Sequence, residues 1–579
     1  MRFLFKRKID KLLAKGSGEQ LGWLCGVTIA IILMAIMVVK FLFNDGEMSW
    51  EDVIGPFIDS GYSLEPGSHY WFRIILAILS TFLFSALLVS VFTNIFENIS
   101  EAVRNGDRRY KMKGHTLVIG SGVTVDNVVK ALKEKGKTIV VFSDNLKDYG
   151  EDIIFYHGNP IDMGDIISAE PSKAETIYLM GEDNNPNHDS LNLQTLELLK
   201  NAVPAEGHKV HCFITIKERS TKEVFQYMKS ASEIADGNTG LLVDVVDEYE
   251  YQAEQLLIGT DFLPVIKESD SLSAHFFVFG CGQMAVSMAN ELAHICHYPS
   301  FAEHALRTRI TMIDSGMKEC YQSMLASRPT LFEMSHYSFV DATGTKVAHI
   351  PESANDFLDV EWEFIQASYC DPVAREVIIS GIKDSSAVVR MLVCIEESSK
   401  AIECALHLPE SAYNNSITAV YLNDSPDVVN LACTTGMYGD IRIFGLANKT
   451  ISDPLMESRL DKGRKVNFVY DQAYGNPPAS SDEEAWYNIC EADKCSSIYC
   501  ACALPLRRKC FGSDGNPMKI YETEHRRWMM SSLLMGYRPG PKKDKRKFIH
   551  PDIVPFDTLP EEEKAKDKIL IDAIDYILK

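Results

Sequence analysis

The chain has 579 residues, with 80 acidic against 58 basic side chains and a net charge of -22. That balance excludes a nucleic-acid partner, because no basic face is available to gather phosphates. At ordinary domain sizes the length holds about three or four domains.

Residues 1–20 are a basic start in which Arg2, Lys6, Arg7, Lys8, Lys11 and Lys15 alternate with apolar side chains. The stretch reads either as an amphipathic helix lying on a membrane surface or as a plain basic topology signal. Two uncharged apolar runs follow, 21–39 and 74–96, each matching the ~20 residues that a bilayer crossing takes. They predict spans at 21–43 and 71–97. The loop between them carries Asp45, Glu47, Glu51, Asp52, Asp59 and Glu65 and neither Lys nor Arg, whereas Arg104, Arg108, Arg109, Lys111 and Lys113 follow the second run. By the positive-inside rule both ends face the cytoplasm, so the expectation is a multi-pass inner-membrane protein with cytoplasmic termini. None of the fourteen cysteines falls in the external loop, which predicts reduced thiols and not a disulfide framework. Cys490, Cys495, Cys500, Cys502 and Cys510 are crowded, but they contain no C-x2-C spacing and no His, so they predict a buried helix and no metal.

The loop at 48–66 has the layout of a re-entrant pore element. A short helix at 49–58 begins at Ser49, with Glu51 and Asp52 in the first turn where the helix dipole favours acids. A bend at Asp59, Ser60, Gly61 and Tyr62 follows. In a fourfold assembly Asp59 makes a ring of four carboxylates that attracts cations. The potassium filter sequence TVGYG is absent. The alternative is a solvated acidic loop.

After a linker at 98–114, strands alternate with helices, which implies parallel doubly wound sheets. The first module, 115–265, opens with a strand at 116–120, the turn Gly120-Ser121-Gly122 and a helix at 123–135, then a strand ending before Asp144. The glycines let phosphates approach a helix N-terminus, and Asp144 stands at the distance of a ribose-binding acid. Val125 replaces the third glycine, so this is half a dinucleotide fingerprint. The second module, 272–455, restarts at His275 with the turn Gly280-Cys281-Gly282, the small Ala285 and the acid Asp314. Its later strands are predicted at 377–380, 387–394, 417–421 and 441–444. Both turns read either as nucleotide sites, for a nicotinamide or adenine nucleotide, or as turns that only shape the fold.

Several of these segments fall into one pattern. Ile58-Asp59-Ser60-Gly61-Tyr62, the apolar second run, Ile99-Ser100-Glu101-Ala102-Val103-Arg104-Asn105-Gly106 and His115-Thr116-Leu117-Val118-Ile119-Gly120 occur in order. That string, within residues 45–450, resembles the plant nuclear-envelope cation channels Castor and Pollux, whose filter reads Ala-Asp-Ser-Gly-Asn. The resemblance implies a homotetrameric cation channel with Asp59, Ser60 and Gly61 in its filter, gated by tandem regulatory domains of the RCK, or TrkA-N, type. The chain departs from the family at Ile58 and Tyr62 and lacks its extra membrane segments.

From about residue 466 the chain becomes helical and aromatic. Glu522-Thr523-Glu524-His525-Arg526-Arg527-Trp528, Gly536-Tyr537, His550-Pro551 and Val554-Pro555-Phe556 follow in order, and residues 466–579 resemble the RyR domain, the helical repeat named for ryanodine receptors. Two helices, 521–535 and 560–578, flank a loop rich in Lys and Arg at 538–547. That loop beside His525, Trp528, Tyr537 and Arg538 suits a phosphorylated aromatic ligand. The plainer reading makes Trp528 and His525 core residues.

The expected fold is thus two transmembrane helices with a pore loop, two doubly wound Rossmann-like domains and a small, mostly α C-terminal domain. The expected function is a ligand-gated tetrameric channel passing potassium or calcium, its partners being lipid, cations and a nucleotide-type small molecule. The alternative is a membrane-anchored nucleotide sensor acting in stress or phage defence without a selective pore. A dehydrogenase is disfavoured because no substrate domain follows either module.

Overall fold

Runs of β-branched and aromatic residues bounded by Gly, Asp and Asn build the strands of this protein, whose structure is a computed structural model. The structure describes residues 17–42, 50–58, 70–150, 152–231, 240–422, 437–445, 457–511 and 515–579. The chain divides into two units, Met1–Tyr110 with Leu146–His157, and Lys111–Asn145 with Gly158–Lys579.

The smaller unit contains helices α1 (Ser17–Leu42), α2 (Trp50–Ile58) and α3 (Tyr70–Arg104), and strand β3 (Ile154–His157). Ala35, Val39, Val53 and Leu76 form a small buried core shared by the three helices. Leu33, Met34, Phe41, Phe82 and Phe92 remain more than half exposed. Among the described residues no helix is long and apolar enough to cross a membrane. A crossing needs ~20 consecutive, predominantly apolar residues, and no described helix meets that requirement. This finding corrects the expected multi-pass inner-membrane placement.

In the larger unit, β1 (His115–Ser121), β2 (Ile139–Ser143), β4 (Ala174–Glu182), β5 (Val210–Ile216) and β6 (Leu241–Asp247) form a parallel sheet in the order β2-β1-β4-β5-β6. Strands β1, β2 and β6 are buried almost throughout, as expected of a sheet covered on both faces. Helices α4 (Val123–Glu134), α5 (His188–Ala202), α6 (Arg219–Ala231) and α7 (Glu248–Gly259) are the longer helices of this module, with a short one at Met163–Ser168.

The second module is larger. Strands β7 (Ser273–Phe279), β8 (Thr308–Asp314), β9 (His336–Val340), β10 (Lys346–His349), β11 (Val360–Gln366), β12 (Ala387–Val393), β13 (Ile417–Tyr421) and β14 (Asp440–Phe444) form a sheet ordered β10-β9-β11-β8-β7-β12-β13-β14. All pairings are parallel except the β9–β10 hairpin. Both modules are Rossmann-like α/β sheets. Helix α8 (Gln283–Ile295) follows the glycine turn, and α9 (Met317–Ser327) follows β8.

One strand expected from sequence is replaced by a helix. Residues 377–380 lie inside α10 (Pro372–Lys383), where Ala374, Ile378 and Gly381 are buried at steps of four and three. That period, after a Pro in the first turn, is helical. The true strand is β11, whose Val360, Trp362 and Phe364 are buried alternately with Glu361 and Glu363.

The C-terminal part is α-helical: α11 (Glu457–Tyr474), α12 (Asp482–Tyr487), α13 (Glu491–Phe511), α14 (Pro517–Leu534), α15 (Glu561–Asp572) and α16 (Ile574–Ile577). The clustered cysteines lie on or next to α13, where Cys495, Cys500, Cys502 and Cys510 are buried thiols. Burial pushes the Cys510 thiol up to about 11, so these side chains act as small hydrophobes.

Candidate functional site

Each glycine turn delivers the first helix of its module to the sheet, and in each a carboxylate of the protein occupies the helix N-terminus. In the first module the Thr124 amide donates to Asp183 Oδ2 at 3.0 Å. Gly122 has φ +125°, and a Cβ there would stand 2.2 Å from that oxygen, so no other residue fits. In the second, the Met284 amide faces Glu396 Oε1 at 3.4 Å, and a Cβ on Gly282 would approach the same oxygen to 2.6 Å. Asp183 and Glu396 follow the ends of β4 and β12, the strands next to β1 and β7 in the two sheets. An N-terminus that attracts phosphate attracts these carboxylates for the same reason.

Gly120 and Gly280 lie where their strands end, their backbones pressed against Gly181 and Cys394. Asp314 caps its own turn by accepting from the Gly316 amide at 2.7 Å. The Cys281 thiol lies beside it; burial, with the Asp314 charge, pushes that thiol up to about 12. Acid and glycine turn therefore meet in the second module. In the first, Asp144 is exposed, and the neighbouring Asn145 reaches the turn instead, donating to Ser121 Oγ at 3.1 Å and Glu182 Oε1 at 2.7 Å. Asp59, Ser60 and Gly61 lie outside the described residues.

The four C-terminal candidates separate. His525 and Trp528 line a cavity of about 330 Å³ within the helical part. Tyr537 and Arg538 line another, of about 430 Å³. In the first cavity Trp528 is half-buried, stacked on His525 with ring centres 5.6 Å apart and edge-on to His550 at 4.8 Å. His525 is held by the protein, with Nε2 3.0 Å from the Val554 carbonyl and Nδ1 3.6 Å from Asp567. These contacts fix its ring against the tryptophan.

Sequence reasoning missed the opposite wall. Tyr470 and Tyr474 on α11, ring centres 5.0 Å apart, line the cavity together with Lys543, Lys545 and Lys566. The two tyrosines, four residues apart, share one helix face, a signal that was available in the sequence. Lys545 pairs with Asp493 at 2.6 Å, and Lys566 pairs with Glu563. Burial lowers the Lys543 ammonium, and Lys545 adds to the effect. Burial also holds the His550 imidazole at about 4, Lys543 and Lys566 contributing, so it is neutral at physiological pH. Asp552 is pushed up to about 6 by burial and by its hydrogen bond to Glu563. Aromatic faces beside a lysine cluster that repels itself suit an aromatic ring carrying negative charge.

No family model and no curated protein matches the chain. Among solved structures, the crystal structure of GsuK bound to ADP is 14% identical with a TM-score of 0.38, covering 75% of this chain and 96% of that one. The GsuK channel bound to NAD is 13% identical with a TM-score of 0.38, covering 74% and 82%. A glyoxylate reductase from Paecilomyes thermophila is 9% identical with a TM-score of 0.20, covering 60% and 86%.

Proposed function

We propose that this chain is a nucleotide-responsive regulatory protein of the channel-regulator type, with no catalytic role. In it, two Rossmann-like modules are fixed to a C-terminal ligand sensor. The observation that carries the proposal is the C-terminal cavity, where the Trp528, Tyr470 and Tyr474 rings stand beside Lys543, Lys545 and Lys566. A base stacks on the rings while a phosphate pairs with Lys543, whose ammonium burial, Lys545 and Lys566 disfavour. A ligand that favours one arrangement of the modules shifts their equilibrium by the difference in its affinity for the two.

ADP and NAD, the ligands in the GsuK structures, are the first probes. Calorimetry on the full chain is expected to show saturable binding. Lys543→Gln and Trp528→Ala should each weaken it by about tenfold or more, since a charged hydrogen bond or a stacked base is worth ~1–3 kcal/mol. Affinity unchanged in both variants would overturn the reading, as would turnover of the nucleotide.

The second module offers a further place for a nucleotide, on condition that Glu396 yields the helix N-terminus. Glu396→Gln removes the competing charge and is expected to raise affinity for ADP severalfold; an unchanged affinity means that this turn only shapes the fold. A homo-oligomer, tetrameric by the sequence resemblance, is supported by the uncovered apolar residues of α1 and α3. Sedimentation of the intact chain at four times the monomer mass is the expected result.

A further inference from the structure

The 430 Å³ cavity is built by three parts of the larger unit. Module one contributes α6 and the β6–α7 junction, module two contributes α8 and the segment after α9, and the C-terminal part contributes α13 and the end of α14. Five cationic side chains line it: Arg219, Lys222, Arg328, Arg538 and Lys547. Some are already engaged. Arg219 Nε pairs with Glu223 at 2.8 Å, Arg328 pairs with the same carboxylate, and Lys222 lies between Glu250 and Asp247. Arg538 and Lys547 are exposed at the cavity edge.

The opposite wall is α8. There Asn290, 8% exposed, and Glu291, 1% exposed, line the cavity, and neither Asn290 Oδ1 nor Glu291 Oε2 has a hydrogen-bond partner among the described residues. Leaving such atoms unpaired is costly, and two of them on consecutive residues lining one cavity mark a wall made for polar contacts. Burial holds the Glu291 carboxyl well above the usual carboxylate range, with Glu250 and Glu254 adding to it. Five cationic side chains thus face four carboxylates, Glu223, Asp247, Glu250 and Glu291. Between the walls, His294 stacks on Tyr499 at 3.8 Å and 10° and closes the floor.

We infer that this junction cavity is a second ligand site, for a phosphorylated sugar either free or carried by a mononucleotide. The phosphate is held among Arg219, Arg328 and Arg538, and the sugar hydroxyls pair with Asn290 and Glu291. The volume falls in the range of small-molecule sites. Because all three parts supply lining residues, occupancy favours the arrangement in which they are closed together.

Calorimetry on the full chain, with ribose 5-phosphate, AMP, ribose and inorganic phosphate as separate titrants, tests the assignment. Saturable binding of ribose 5-phosphate or AMP is expected, at least tenfold tighter than ribose or phosphate. Arg538→Gln and Asn290→Leu should each weaken the binding of ribose 5-phosphate about tenfold. AMP binding more tightly than ribose 5-phosphate identifies the nucleotide as the source, and equal binding identifies the free sugar. Arg538 is exposed, so Arg538→Gln decides the matter even if Asn290→Leu fails to fold. No saturable binding of either ligand overturns the inference, as does ribose 5-phosphate binding that survives Arg538→Gln.

Discussion

Asp244→Ala is expected to release the C-terminal helices from the first module and to destabilise the larger unit by about 3–5 kcal/mol, the range for breaking a buried ion pair from one side. Asp244 stands in the middle of β6, a strand buried along its whole length. A carboxylate there is tolerable only because the C-terminal helices bring it four donors. Trp486 Nε1 and the Tyr487 hydroxyl donate at 2.8 Å each, Lys494 Nζ approaches to 3.3 Å and Arg464 Nη2 to 3.4 Å. Lys494 is itself buried, with its ammonium over the Tyr487 ring at 4.7 Å. Removing the acid takes a counter-charge from that buried ammonium, which costs more than the lost hydrogen bonds. Asp244→Asn should fall between wild type and Asp244→Ala, because the amide can still accept from Trp486 but no longer offers Lys494 a charge. Denaturant unfolding and protease susceptibility of α12 and α13 provide the measurements; wild-type resistance in Asp244→Ala would disprove the lock.

The same pair gives an acid dependence. Burial alone would raise the Asp244 carboxyl, but Lys494 and Arg464 together with the Trp486 and Tyr487 donors hold it at about 2, below its ordinary 3.8. The folded state therefore keeps the carboxylate ionised where the unfolded chain takes up a proton. The contribution is complete above about pH 4 and is lost as pH falls towards 2, amounting to about 2 kcal/mol. In Asp244→Asn this part of the acid sensitivity should vanish.

The sheets were legible because their strands obey local rules. Thr116-Leu117-Val118-Ile119 is apolar and β-branched between turn residues, and Ala387 to Val393 is similar. The failure at 377–380 arose from reading Val-Ile-Ile as a strand when its burial period belongs to a helix that begins at Pro372. The glycine turns suggest close approach by a phosphate, and in the structure a carboxylate from the strand next door approaches each of them. Asp183 and Glu396 lie 61 and 114 residues beyond Gly122 and Gly282 in the chain, so no local spacing announces them. Likewise the four C-terminal candidates look like one site in sequence. Gly536, in the left-handed region at φ +90°, turns the chain between them, so that Trp528 and Tyr537 line different cavities. The Asp244 lock joins residues more than 200 positions apart, and only the docked helices reveal it.

The second large effect is expected at the buried acids on α7 and α8. Glu250, Glu254 and Glu291 place one carboxylate oxygen each within 4.8 Å of one another. Arg459 on α11 pairs with Glu254 at 2.6 Å and Glu250 at 3.3 Å, while Lys222 on α6 takes the other side of Glu250. Burial raises Glu254 despite Arg459, whereas Lys222 and then Arg459 overcome burial to hold Glu250 well below its ordinary value. With Asp247 also on Lys222, two cations thus serve four acids, and burial with Glu250 and Glu254 raises the Glu291 carboxyl well above its ordinary value. Arg459→Ala removes half of that compensation and is expected to cost about 3–5 kcal/mol. Glu291→Gln behaves oppositely. The folded state holds a proton that the unfolded chain releases above its ordinary pKa of 4.5. Wild-type stability therefore falls with rising pH, by about 1.4 kcal/mol per unit, until the folded pKa is reached. The amide keeps the shape without that penalty, so Glu291→Gln should melt like wild type at pH 4 and above it at pH 8. A melting difference of the opposite sign, or a mild Arg459→Ala, would show that Glu291 is ionised and that this account of the cluster is wrong.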